Sequence, residues 1–141
     1  MKPEAAHLLT LAARSLADGK SMIDIRMMRL AGREAYFVSL HTARAYIVEL
    51  TFKFTKTHTG THRAFSELAA ERGDFSAALL NLPARAFGFK SWADYGELHA
   101  PDLAKLPAIM AEAELLFRET CALFEADADA LIAAAESESQ S

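Results

Sequence analysis

Apolar residues recur along this chain at helical spacing from its first turn almost to its end. Pro3 suits the first turn of a helix, where its missing N–H is not needed. Leu8, Leu9, Leu11, Ala12 and Leu16 then keep a period of 3.6 residues, and Asp18-Gly19 predicts a stop. A second helix is expected from near Ser21 or Asp24 to about Thr55. Within it Tyr36, Leu40, Ala43, Ile47, Leu50 and Phe54 alternate steps of four and three, the seam of a helix packed lengthwise on a partner. Such a helix would be roughly 45 Å long at ~1.5 Å per residue. Gly32 lies inside it, so a bend or break is expected there.

Lys56 to Gly60 reads as a loop, with Thr61 capping a third helix that Gly73 closes after Arg72. Asp74 or Ser76 opens a fourth helix with Ala77, Leu79, Leu80 and Leu82, which Pro83 must kink or restart. Phe87 to Tyr95 reads as aromatic and irregular. A last helix begins near Pro101-Asp102, or at Pro107, and carries Leu106, Ile109, Met110, Ala113, Leu116, Phe117, Leu123 and Phe124. It fades into a polar end at residues 133–141 that is expected to fray. The pattern predicts an all-α fold: a four- to five-helix up-and-down bundle with two long helices. Residues 1–128 form the bundle, and residues 129–141 are the end of the last helix and a polar tail.

Composition narrows the function classes. A chain of 141 residues supports one domain that buries roughly 68% of its unfolded surface. Its net charge of −4 excludes a protein that coats nucleic acid through bulk electrostatics, while leaving room for a local basic groove, since the acids gather towards the C-terminus. The one cysteine, Cys121, fits a reducing cytoplasm. The chain shows neither a signal core at its start nor a run of ~20 apolar residues, so no membrane partner is expected.

The candidate chemistry sits on the second helix and on the loop and helix after it. Arg33, His41 and Arg44 fall near one stripe, close to the buried seam. They would either pair with acids of the last helix, such as Glu112, Glu114 or Glu119, or form an anion site through forked arginine donors. His58 and His62 stand four apart, a chelating spacing on a helix, but no third ligand is near and no metal or other cofactor is expected. Cys121, among Leu116, Phe117 and Leu123, reads as a buried hydrophobe. Trp92 and Tyr95 either stack nucleobases or plug the end of the bundle. Phosphate-loop, zinc-protease and nucleophile-elbow signatures are absent.

Three pieces in order carry a resemblance. They are Arg33-x-Ala35-Tyr36-Phe37 with His41-x-Ala43-Arg44, then Lys56-Thr57-His58-x-Gly60, then Ala93-Asp94-Tyr95. Together they resemble the HEPN superfamily, in particular its small stand-alone members, over about residues 4 to 125. The resemblance implies a helical bundle that dimerises through its long helices. It implies a partner of a minimal nucleotidyltransferase, in a system of toxin–antitoxin type. Active HEPN proteins are metal-independent ribonucleases with an arginine closely followed by a histidine. Here Arg33 precedes His41 by a wider gap, Lys90 stands where many relatives have arginine, and His99 comes after it at a distance. The expectation is therefore a non-catalytic homodimeric binding subunit for a nucleotidyltransferase, nucleotide or RNA, with a degenerate ribonuclease as the alternative. The contact residues would be Arg33, His41, Arg44, Lys56, His58, Lys90, Asp94 and Tyr95, with Asp94 reaching back to Arg33 or Arg44 and Tyr36 and Tyr95 joining that network.

Overall fold

A computed structural model of the chain describes residues 1–96 and 101–140. Those residues form α1 (Pro3–Asp24), α2 (Met28–Thr51), α3 (His58–Arg72), α4 (Ala77–Leu80), α5 (Leu82–Tyr95), α6 (Leu106–Leu123) and α7 (Ala128–Gln140), with a 3-10 turn at Leu103–Lys105 and no strand. The all-helical bundle matches the sequence pattern; the described helices number seven instead of about five, and α1 joins α2 as a long helix while the expected last helix is divided into α6 and α7.

Helix α1 does not stop at Asp18-Gly19. Gly19 is fully inside, where a side chain would run into Met110 of α6 and Glu34 of α2, so the glycine permits a close crossing and does not end the helix. The real end is Arg26, at φ 61°, in the left-handed region usually given to glycine. The Met27 amide donates back to the Met22 carbonyl at 2.8 Å, which satisfies the last turn. The chain reverses there, and the Lys2 amide bonds Glu49 Oε1 at 2.7 Å, fastening the start of α1 to the end of α2 in an antiparallel hairpin.

The second helix is shorter than its periodicity predicts. It ends at Thr51, because Phe52 takes φ 62° and its amide closes on the Val48 carbonyl; Phe54 lies beyond and is exposed. Nor is α2 a single seam. Val38, Ser39, Thr42 and Ala45 are buried as well as Tyr36, Leu40, Ala43 and Ile47, since α1, α3, α5 and α6 all pack on it. Helix α2 also runs straight through Gly32, where a β-carbon would stand 3.0 Å from Phe89 Cβ of α5.

Phe87 to Tyr95 is helical, not irregular, because Pro83 sits at the start of α5 and restarts the chain after the short α4. Pro107 does the same for α6. The end expected to fray is a helix of its own. Glu125 turns the chain at φ 56°, and α7 then lays Ile132 and Ala135 against α1, with Arg14 Nε on Glu138 Oε2 at 2.9 Å. No described helix is long and apolar enough to cross a membrane.

The α2–α5 contact at Gly32 sets the placement of the later residues. Gly32→Val is expected to destabilise the fold by about 1–3 kcal/mol, the usual cost of overpacking. Thermal melting checks it, and an unchanged midpoint would mean that α5 does not rest on α2 at that point.

Candidate functional site

Thr57 is the N-cap of α3, and its hydroxyl accepts the Gly60 amide at 2.9 Å. A β-carbon at Gly60 would stand 2.6 Å from that oxygen, so glycine is what lets the cap close. Capping at Thr57, not at Thr61, makes His58 the first helical residue. His58 and His62 are then one turn apart on the face towards α2. Both point at one atom: Tyr36 Oη lies 2.6 Å from His58 Nδ1 and 2.7 Å from His62 Nε2.

A phenol has one proton and can accept others. It therefore donates to one imidazole and accepts an N–H from the other. If His62 donates, Tyr36 donates to His58, and His58 keeps its own proton on Nε2. If His58 donates, its Nε2 is a bare lone pair. The two arrangements interchange when His58 Nε2 gives up its proton outward, Tyr36 passes one to His58 Nδ1, His62 passes one to Tyr36, and His62 Nδ1 takes one from outside. The outer edge of His58 then changes from acid to base with no net change in charge. The distances are those of hydrogen bonds: two donors sharing a zinc ion, each ~2.0–2.1 Å from it, would sit more than ~3 Å apart. No group of three His, Cys, Asp or Glu able to hold a metal occurs among the described residues.

Burial holds His58 and His62 below the usual imidazole range, helped at His58 by Lys90 and Arg44 and at His62 by His58 and Arg44. Both are neutral at pH 7. Burial likewise raises the Tyr36 phenol, against the opposing pull of Arg44. Arg44 is half-buried, and its Nε donates to Thr61 Oγ1 at 3.3 Å. The Thr61 hydroxyl lies 2.8 Å from the Thr57 carbonyl and 2.6 Å from Thr55 Oγ1. One donation to the carbonyl and two acceptances, from Thr55 and Arg44, satisfy that buried oxygen. No carboxylate pairs with Arg44 among the described residues, in contrast to Arg33, Lys90, Arg85 and Arg118.

Beside this cluster Asp94 bridges two cations: Oδ1 meets Arg33 Nε at 3.1 Å and Oδ2 meets Lys90 Nζ at 3.0 Å. The Lys90 hydrogen bond, with Arg33 behind it, holds the Asp94 carboxyl below its ordinary value. Lys90 itself is buried, its ammonium 6.0 Å from the Phe87 ring centroid and 5.1 Å from that of Tyr95. Phe87 packs edge-on to Tyr36 and also contacts both histidines, joining the two halves of the site.

Asp94 thus reaches Arg33 as the sequence suggested, but not Arg44. Tyr36 serves the histidines instead of that network, and Tyr95 is exposed. Of the acids expected to meet these arginines, all on α6, Glu112 pairs with Arg85 and Glu114 with Lys20 and Arg118, and none pairs with Arg33 or Arg44 among the described residues. Lys56 is exposed, just before the cap. His41 departs from the group: it stacks on Phe37 and, with Ser15, Arg33 and Glu34, lines a cleft of about 240 Å³ between α1 and α2. Its Nδ1 is buried without a partner, and burial, more than Arg44 and His7, lowers its pKa to about 4. Cys121 is buried, and burial pushes its thiol up to about 11. His99 lies outside the described residues. Sequence reasoning missed His62 and Thr61 as members of the site. The four-residue spacing from His58 was the available signal, obscured by placing the cap at Thr61.

No family model matches the chain, and no curated protein matches it.

Asp94→Asn leaves the buried Lys90 ammonium without its carboxylate. Because Asp94 is partly open to water, the expected loss is about 1–2 kcal/mol, below the value for a fully buried pair. Thermal melting at neutral pH reads this, with Glu67→Gln, an exposed pair on α3, as the surface control. Equal midpoints for the two variants would remove the Asp94 bridge from the account.

Proposed function

We propose that this chain is a HEPN-like helical protein that acts as a non-catalytic, homodimeric binding subunit, holding a phosphate group of a nucleotide or RNA. The observation that carries the reading is Arg44, a half-buried guanidinium with no described carboxylate partner, bonded to α3 near the start of that helix. A half-buried cation that no described acid neutralises keeps its charge and its forked donors available to an anion. The first amides of α3 add their partial positive charge, and the neutral imidazole that accepts from Tyr36 adds one outward N–H donor.

The HEPN resemblance supports the same reading, since its three quoted pieces meet in space through Tyr36–His58 and Arg33–Asp94. Exposed Phe52, Phe54, Leu115 and Leu123 offer apolar surface for a second copy or for a nucleotidyltransferase partner of a toxin–antitoxin type pair. The buried, unpaired Cys121 fits the cytoplasm.

Calorimetric titration with ATP and with a short RNA tests it. Arg44→Ala is expected to weaken binding about 10- to 100-fold, the usual effect of losing a charge-assisted hydrogen bond, with melting unchanged to within a few degrees. An anion stabilises imidazolium. His58 and His62 titrate below 6.5 in the free protein, so the complex takes up protons, and affinity rises as pH falls from 7 towards 5. Binding that is indifferent to both Arg44 and pH would sink the proposal.

The proton chain favours a second reading, a metal-independent ribonuclease. His58 has an outward nitrogen that is either base or acid, next to Arg44 and Lys90 to meet charge developing at phosphorus. Under that reading, metal-free protein cleaves single-stranded RNA, and His58→Ala abolishes the activity. Tyr36→Phe, which cuts the link to His62, narrows its pH profile. Intact RNA after incubation with the folded protein leaves the binding subunit.

A further inference from the structure

The last turn of α5 carries two aromatic side chains beside the cation cluster, Trp92 and Tyr95, three residues apart and so on one face of the helix. Tyr95 is the more exposed of the two, at 73% of its full surface, in a chain that buries its other two tyrosines completely. A phenol ring left in water contributes little to the core. Its position is nevertheless fixed: α5 ends at Gly96, the preceding residue Asp94 is clamped by Arg33 and Lys90, and the Lys90 ammonium lies 5.1 Å from the Tyr95 ring centroid. Trp92, half-exposed, has the Arg29 guanidinium 6.0 Å from its ring, and Arg29 is itself held by the Ala93 carbonyl at 2.8 Å. Each ring therefore sits beside a positive charge that is anchored to the same helix turn.

We propose that Tyr95, with Trp92 one turn before it, is a nucleobase-stacking platform, so that the ligand of the cation cluster is a single-stranded nucleic acid. This rests on the phosphate reading above and adds the part of the ligand that is not phosphate. Aromatic rings next to anchored cations are what single strands use: bases stack on the rings while the backbone follows the charge. Lys90 lies between the two functions, since it faces Tyr95 and also acts electrostatically on His58. A strand with its base on Tyr95 therefore brings its phosphate towards His58 and Arg44. The i, i+3 spacing puts the two rings about 5–6 Å apart at their β-carbons, which suits successive unstacked bases better than one mononucleotide. A duplex presents no base faces and is not accommodated.

The test uses the full chain with oligouridylate RNA, oligothymidylate DNA and inorganic tripolyphosphate, read by titration calorimetry and by the fluorescence of Trp92, the one tryptophan. Both oligomers are expected to bind more tightly than tripolyphosphate and to quench the tryptophan. Tyr95→Ala should weaken them roughly 5- to 100-fold, the usual effect of losing one stacked base, while Tyr95→Phe keeps the affinity and tripolyphosphate binding does not change. Oligomer binding indifferent to Tyr95→Ala, or weakened only in step with tripolyphosphate, overturns the platform. So does binding confined to RNA, which would shift recognition to the 2′-hydroxyl. Tripolyphosphate that binds as well as the oligomers removes the stacking and leaves the phosphate site standing. A wild-type chain that binds none of the three removes the phosphate reading itself.

Discussion

A phenol hydroxyl taken out of water must find partners, because an unsatisfied one costs about 1–3 kcal/mol. Tyr36 sits at full burial on α2, the helix on which four others pack. Its hydroxyl is satisfied through the two imidazoles of α3. That requirement fixes much else. Helix α3 must begin at His58 for both rings to face the same way, so Thr57 must cap it and Gly60 must admit the cap. Thr61, one position before His62, is then brought beneath Arg44, and its hydroxyl saturates the junction of the two helices. One hydroxyl group thus links the packing of the bundle to the pair of neighbouring histidines on α3.

The distribution of charge depends on the same arrangement. The chain is acidic overall, yet many of its acids are engaged in pairs away from α3: Glu112 with Arg85, Glu114 with Lys20 and Arg118, Asp129 with Arg118, Glu138 with Arg14. Near Tyr36 the balance reverses. Asp94 is divided between Arg33 and Lys90, and Arg44 lowers the proton affinity of His41, His58, His62 and Tyr36 alike. Burial first, and this local field after it, holds the histidines below the usual imidazole range. The positive charge of this chain of net charge −4 is thus local to Tyr36 and not spread over the surface.

Helix content was legible because amphipathic periodicity survives whatever packs against it. Helix ends were less legible. The chain turns at Arg26, Phe52 and Glu125, residues that rarely take positive φ and that signal no stop, while Gly19 and Gly32 look like breaks and are contact points. A glycine says only that a β-carbon is absent. Whether that absence serves a turn or a close crossing depends on the neighbouring helix, which a linear pattern does not contain.

The sequence by itself determined that the fold is helical, that the helix through Tyr36 and Ile47 is long, that Cys121 is interior, and that Asp94 belongs with an arginine of that helix. Each of these rests on residue type and local spacing. Only the tertiary structure decided which charges are neutralised and which are left, and that His62, not Asp94, completes the environment of Tyr36. It also separated His41 from the cluster although it shares a stripe with Arg44, because α1 closes over that side of α2 and leaves the His41 Nδ1 dry. Periodicity assigns a residue to a face of its helix. Hydrogen bonds and desolvation depend on what the other helices bring to that face, and long-range packing alone sets that.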